Sequence, residues 1–170
     1  MPTGFNPMLV LIISLFLGAA AVAASKRPSG VWNYYHFDGS SFVAGQATDG
    51  NHFVAVRDGV RPVVLTHPAR IEAVGLPAGT GAVAGICYIQ IAGGKLATGA
   101  GYLPAPSMRL PVSSGADVVT TVATDEQGYF IAVLHPGRYV VGEGPLAREV
   151  TIEEHQTSLV GVRVGKRMVD

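Results

Sequence analysis

The segment TDEQGYF at residues 124–130 constrains the fold of this chain more than any other part of the sequence. An aspartate side chain in a turn accepts hydrogen bonds from backbone N–H groups two residues further on, and Asp125 is placed to do so. Gly128 is placed to adopt the positive φ at which such a turn ends, because glycine has no Cβ to clash. The segment therefore predicts a tight turn that leads directly into a strand.

A second turn signal follows one strand later, in LHPGRY at residues 134–139. Pro136 and Gly137 match the two central positions of a type II turn. Between the turns side chains alternate, so that Phe130 shares one face of a strand with residues 132 and 134 and the intervening residues share the other. Turn chemistry and strand alternation agree throughout, which predicts a β-hairpin closed by a second turn.

The two motifs resemble those of the carboxypeptidase regulatory-like domain, a β-sandwich of the prealbumin-like type. The resemblance covers about residues 81–165 and includes two closing strands, REVTI at 148–152 and LVGVRV at 159–164. It implies an all-β fold built as an antiparallel Ig-like or prealbumin-like sandwich. In that family the domain accompanies a catalytic or transport module and performs no reaction itself, so the resemblance implies a non-catalytic protein.

The residues before the sandwich carry three Asp-Gly pairs, at 38–39, 49–50 and 58–59. Asp-Gly between apolar runs is a strong hairpin signal. The four runs that the pairs separate, 32–37, 41–47, 52–57 and 61–65, therefore predict a four-stranded β-meander. Turn residues at 76–81 mark a boundary, which divides the chain into a leader (1–24), an N-terminal meander (25–78) and the sandwich (79–170).

Further strands are predicted where short apolar runs alternate with turn signals. The segment 99–111 contains three prolines, which cannot donate to a ladder, and is predicted to be an irregular crossover or an edge strand. The predicted strands of the second half are 82–92, 117–123, 129–134, 138–141, 148–152 and 157–164.

The first 24 residues form an apolar leader, predicted to be helical. Residues 8–17 have the length of a signal-peptide core, and the following alanines favour cleavage after Ala23 or Ala24. Lys26 and Arg27 follow the apolar run instead of preceding it, so an uncleaved anchor at residues 7–24 is the alternative. The leader predicts a periplasmic or secreted protein, or a membrane-anchored one if it is retained.

Composition narrows the possible ligands. Lys plus Arg and Asp plus Glu number 12 each, so no net charge favours nucleic acid or an anionic membrane surface. The single cysteine, Cys87, excludes an intramolecular disulfide and lies in an apolar run, which predicts a small buried hydrophobe. Five scattered histidines have no metal-ligand spacing. No cofactor or metal is expected.

Three enzyme families carry related hairpin patterns, and each requires a feature that this sequence lacks. Intradiol dioxygenases need a histidine pair after the second turn, where this chain has VVGE from Val140. Hydroxyisourate hydrolases of the transthyretin type end in YRGS, whereas this chain ends in RMVD. Zinc carboxypeptidases need a separate α/β domain, which the remaining residues are too few to form. The sequence therefore predicts that the protein is not an enzyme.

Aromatic residues crowd the first predicted strand, with Trp32 and Tyr34 on one side and Tyr35 and Phe37 on the other. If one pair is exposed, it can anchor a protein partner or stack on a sugar ring. The predicted function is therefore a non-catalytic exported module that binds a protein of the cell envelope. A carbohydrate-binding module that uses these aromatics is the alternative.

Overall fold

The computed structural model describes residues 30–47, 50–67, 70–93 and 101–169. The predicted leader, with its alternatives of cleavage and anchoring, lies outside the described residues. The described chain forms a three-residue 3-10 helix at Gly144–Leu146 and the following strands: β1 Asn33–Phe37, β2 Phe42–Ala44, β3 Phe53–Val56, β4 Val63–Leu65, β5 Gly81–Gly93, β6 Gly101–Pro104, β7 Arg109–Ser114, β8 Asp117–Ala123, β9 Tyr129–Leu134, β10 Gly137–Val141, β11 Arg148–Ile152 and β12 Thr157–Val169. None of its helices is long and apolar enough to cross a membrane.

The strands form three sheets that pack as layers. In the central sheet β12 pairs with β5, and the other side of β5 pairs first with β9 and then with β6. The outer sheet has the order β11-β10-β7-β8, and the N-terminal sheet has the order β2-β1-β3-β4. The prediction of an all-β sandwich is confirmed.

The central sheet is apolar on both faces, and each face is covered by another sheet. Between the central and outer sheets lie Val83, Cys87, Phe130, Val160 and residues of β7, β10 and β11. On the opposite face, between the central and N-terminal sheets, lies a second cluster of buried residues: Phe37, Phe42, Val54, Val56, Ala84, Ile86, Tyr88, Tyr129 and Leu159. The N-terminal sheet thus shares a core with the sandwich, and the division into domains at residue 78 stays a prediction.

Two strand glycines allow this close packing. The Phe130 ring lies against Gly85 on β5, on the side of the outer sheet, where any Cβ would collide with it. On the other face, a Cβ on Gly161 of β12 would lie 2.8 Å from the ring of Phe37. Glycine inside a strand marks a position where another group approaches the backbone closely, and here the approaching groups are aromatic rings.

The predicted hairpin at residues 124–130 is wrong in its pairing, although both of its strands are present. β8 pairs with β7 in the outer sheet, whereas β9 pairs with β5 in the central sheet. The turn therefore carries the chain from one layer to the next. Turn chemistry and side-chain alternation are the same whichever partner a strand takes, so neither could reveal this.

Three other features of the topology differ from the expectation. β5 and β12 run parallel, whereas the remaining strand pairs of the described chain are antiparallel. The four N-terminal strands are present, but β1 lies between β2 and β3, which is not the order of a simple meander. The proline-rich segment contains an edge strand, β6, as predicted, but it also contains the start of β7, which lies inside the outer sheet. Pro111 cannot donate to a ladder, and its carbonyl accepts a hydrogen bond from Gly142 N, just past the end of β10, at 2.9 Å.

Candidate functional site

The turn between β8 and β9 is held by the Asp125 side chain. Its Oδ1 accepts hydrogen bonds from the backbone N–H groups of Gln127 at 2.9 Å and Tyr129 at 2.8 Å. Gly128 has φ +78°, and its N–H donates to the carbonyl of Asp125 at 3.1 Å. The carboxylate therefore serves the backbone of its own turn.

The same turn is attached to the connection between β6 and β7. The hydroxyl of buried Thr124 donates to Ala105 O at 2.8 Å and accepts from Met108 N at 2.9 Å. Cys87 N donates to Gly128 O at 2.7 Å, and Cys87 O accepts from Ala105 N at 2.9 Å. Cys87 is fully buried, as predicted, and burial raises the pKa of its thiol to about 11. Hydrogen bonds and burial at this turn stabilise the junction of two layers.

The LHPGRY segment forms a corner and not a hydrogen-bonded type II turn. Gly137 has φ 158°, an extended conformation, whereas a type II turn needs a value near +80° at its third residue. Tyr139 packs its ring beside Gly137 and donates its hydroxyl to His135 O at 3.0 Å. This is the geometry of a tyrosine corner, in which a tyrosine hydroxyl bonds to the backbone a few residues upstream. Pro136 and Gly137 lie where the chain passes from the central sheet to the outer one.

The four aromatic side chains of the first strand are distributed between its two faces. Phe37 is 4% exposed and Tyr35 packs against the same inner cluster. Tyr34 lies on the other face, with its ring edge-on to Phe53 at 5.6 Å, and Trp32 is half-buried. A sugar platform needs ring faces open to solvent, and two of these rings belong to the core. The role of this group in binding stays a prediction.

The polar groups of the N-terminal sheet are occupied by local structure. Hydrogen bonds from Ser41 N and from the N–H and hydroxyl of Ser40 hold the pKa of Asp38 below its usual value. His36 Nδ1 lies 3.2 Å from Gly45 O. In the described part of the chain, no group of three or more His, Cys, Asp or Glu side chains is arranged to hold a metal ion. Asp38 therefore stabilises its own turn, and His36 contacts the backbone at the end of β2.

An open apolar cleft lies where the outer sheet meets β12, and the sequence did not predict it. It has a volume of about 280 Å³ and lies between the start of β7, the middle of β12 and the 3-10 helix. Its apolar lining consists of Met108, Leu110, Pro111, Pro145, Leu146, Val162 and Val164, and its charged lining of Arg109, Glu143 and Arg163.

The cleft exists because the chain turns sharply after β10. Gly142 has φ +91°, and a Cβ there would lie 3.4 Å from a methyl group of Val162. Pro145 lies in the first turn of the 3-10 helix, and Ala147 N donates to Gly144 O at 3.2 Å to close it. The helix therefore stands beside β12 without filling the space over it.

Burial varies along the lining of the cleft. Leu110 and Val162 are 3% and 2% exposed, whereas Met108, Leu146 and Val164 are half-buried. Partly exposed apolar side chains beside a buried apolar floor form a surface that another apolar group can cover. Small-molecule sites have volumes of roughly 300–1,000 Å³, so this cleft is on the small side and suits one or two side chains of a partner.

The charged residues lie at the edges of the cleft. Arg109 and Glu143 are exposed. Arg163 is held on β12, where its Nη1 donates to Gln90 Oε1 at 2.7 Å. An apolar centre with a charged border is the usual anatomy of a protein-binding surface. Its residues come from three separated segments, so no local pattern in the sequence could reveal it.

Comparison with known proteins identifies no family for this chain. No protein-family model matches it, and no curated protein matches it. Among solved structures it is similar to GBS52, the minor pilin of the Gram-positive pathogen Streptococcus agalactiae, with 16% identity and a TM-score of 0.39. The match covers 77% of this chain and 66% of the pilin chain. A TM-score this low carries no conclusion about function, and the fold described above follows from the strand pairing of the chain itself.

Proposed function

We propose that this chain is a non-catalytic exported β-sandwich protein that binds another protein of the cell envelope. The observation that supports the proposal is the open apolar cleft, bordered by Arg109 and Glu143. The polar side chains that enzymes would use instead hold the backbone: Asp38 and Asp125 bond to their own turns, and Thr124 bonds to the connection between β6 and β7. Binding is therefore the function that the geometry favours.

The partner would insert one or two apolar side chains over Leu146 and Val164 and place polar groups at the border. Burial of apolar area supplies most of the affinity of such a contact, at roughly 25 cal/mol per Å² removed from water. The exposed charges of Arg109 and Glu143 would orient the partner more than they would tighten its binding.

We also propose that residues 81–165 form a carboxypeptidase regulatory-like domain and that the leader exports the chain, which is then periplasmic or secreted. The supporting features are the Asp125 turn, the tyrosine corner at Tyr139 and the closing strands β11 and β12. The apolar residues 8–17 and the alanines that follow support export. Contact with the membrane itself belongs to the alternative in which residues 7–24 are retained as an anchor.

A photo-crosslinking experiment tests the proposed binding surface. A benzophenone amino acid is introduced at Leu146 in the cleft, and in a matched control at Val43, which is 40% exposed on the N-terminal sheet. The expected result is a discrete crosslinked product in the envelope fraction with the probe at position 146 and not with the probe at position 43.

A second variant tests whether formation of the crosslinked product depends on the apolar lining of the cleft. Val164→Asp, combined with the probe at Leu146, should reduce the crosslinked product because a charge in the cleft must be desolvated when the partner binds. Val43→Asp with the same probe should leave the yield unchanged. The yield of crosslinked product is compared among three proteins with the probe at Leu146: one without a further change, one with Val164→Asp and one with Val43→Asp. Equal yields would contradict the proposed surface, provided that thermal unfolding shows that all three are folded.

A further inference from the structure

The outer sheet ends on one side at β8, residues Asp117–Ala123, and no residue of this strand lines the cleft, although β8 pairs with β7, whose start does. Within the described residues β8 pairs with β7 alone. Five of its seven side chains are exposed, and Val118 and Val119 are 61% and 48% exposed. A strand with a free edge presents unpaired backbone groups, and another strand can pair with them.

Charge distinguishes β8 from β11 at the opposite edge of the same sheet. β11 carries Arg148 and Glu149, whereas β8 has no charge and no proline from Val118 to Ala123. Charged side chains and prolines are the usual means by which proteins protect an edge from pairing. One irregularity is present, since the register with β7 shifts between Thr120 and Val118 and leaves Val119 without an opposite residue. From Thr120 to Ala123 the pairing is regular.

The hydrogen bonding of Pro111 shows which backbone groups of β8 face the free edge. Pro111 lies opposite Thr121, and its carbonyl accepts the Gly142 N–H on the side of β10. The backbone of Pro111 therefore points away from β8, so Pro111 and Thr121 form a non-hydrogen-bonded pair. In such a pair the N–H and C=O of both residues point outward. Those of Thr121 consequently face the free edge, where a further strand can bind them.

We propose that β8 pairs with β8 of a second copy of this chain, antiparallel and about a two-fold axis at Thr121. Thr121 of one copy would then lie opposite Thr121 of the other, and Thr120 opposite Val122. β-Branched residues placed opposite each other stabilise a strand pair. The stretch from Val118 to Ala123 is uncharged, so identical strands do not repel, and no charge selects a different protein. A closed two-fold dimer is also the commonest form of self-association.

Disulfide trapping tests this register. In a hydrogen-bonded antiparallel pair the opposite Cα atoms are about 5.5 Å apart, which lies within the range that a disulfide spans. Thr121→Cys in the full chain should therefore form a covalent dimer under mild oxidation about tenfold faster than Thr151→Cys, since pairing raises the effective thiol concentration. Thr151 is exposed on β11 and provides the matched control, and native Cys87 is buried in both variants.

Sedimentation equilibrium tests the association without a crosslink. The average mass of the wild-type chain should rise toward that of a dimer as its concentration increases. Added 0.5 M salt should not reverse this, because the paired residues, 120–122, are uncharged. Thr121→Lys should keep the mass of a monomer, whereas Thr151→Lys should behave like wild type. All variants carry the same leader, so association through the leader would be equal in each.

Two results would overturn the proposal. One is equal rates of disulfide formation at positions 121 and 151. The other is an unchanged concentration dependence of mass in Thr121→Lys when circular dichroism shows that the variant is folded. Neither result decides the cleft proposal, because Thr121 does not line the cleft and the crosslinking experiment at Leu146 has its own readout.

Discussion

Replacing Gly128 by alanine tests the turn that carries the chain from the outer sheet to the central sheet. The φ of +78° costs a residue with a Cβ about 1–2 kcal/mol. The new Cβ would also lie 2.6 Å from Cys87 O and 3.0 Å from Ala105 N. Those two backbone atoms are held by their own hydrogen bond of 2.9 Å, so they cannot move apart freely. Overpacking of this kind costs about 1–3 kcal/mol, which gives a total of about 2–5 kcal/mol.

Gly115→Ala provides a control that separates the two contributions. Gly115 lies in the turn between β7 and β8 with φ +61°, and no heavy atom lies within 4 Å of the position of its Cβ. The free energy of unfolding of Gly115→Ala should therefore fall only by the cost of the positive φ, about 1–2 kcal/mol.

Urea unfolding measures both changes, with unchanged m-values as the check that each variant unfolds in the same way. The free energy of unfolding should fall by about 1–3 kcal/mol more for Gly128→Ala than for Gly115→Ala. Equal losses would show that the close approach of Cys87 and Ala105 to Gly128 does not contribute to the free energy of unfolding, which would contradict the predicted overpacking.

Three further predictions concern the corner, the buried thiol and the leader. Tyr139→Phe removes the hydrogen bond to His135 O and should lower the free energy of unfolding by about 0.5–1.5 kcal/mol in urea; unchanged stability would contradict the tyrosine corner. Burial raises the pKa of Cys87 from 9.0 to about 11, so its contribution to stability is complete below pH 9 and declines as pH rises toward 11. Between pH 9 and 11 the free energy of unfolding should therefore fall less for Cys87→Ala than for wild type. Parallel plots of this free energy against pH would contradict the prediction. If the leader is cleaved, mass spectrometry of the chain exported by a Gram-negative host should show an N-terminus at Ala24 or Ser25, whereas full-length protein in the membrane pellet would identify an anchor.

The sequence predicts the strands of this fold better than their partners. β8, β9 and β11 have the predicted bounds. Gly, Pro and Asp next to β8 and β9 interrupt the pattern of side chains, and Gly144 and Pro145 precede β11. The partner of β9 was not predictable, since β9 would alternate in the same way beside β8 as it does beside β5. Pairing depends on residues far away in the chain, and a local pattern does not contain them.

Contacts of single glycines with distant residues are equally hard to predict from a local pattern. Gly128 stands out in the sequence because turn residues surround it, whereas Gly85 lies inside the predicted strand 82–92, where no neighbouring residue marks its role. The structure places the Phe130 ring against Gly85 in β5. The cleft was missed for a related reason. Met108, Leu146 and Val164 belong to separate segments, and each is an ordinary apolar residue in its own surroundings.

β5 nevertheless contained a signal for the third layer. Residues 82–88, AVAGICY, form a continuous apolar run without the alternation expected of a strand with one face in water. Such a run is typical of strands that are covered on both faces, and parallel pairing commonly accompanies it. Both properties are present, since β5 pairs in parallel with β12 and its residues from 82 to 88 are buried. The outer sheet covers only one face, so the N-terminal sheet is needed to cover Ala84, Ile86 and Tyr88 on the other. The N-terminal sheet is therefore part of the core of this protein.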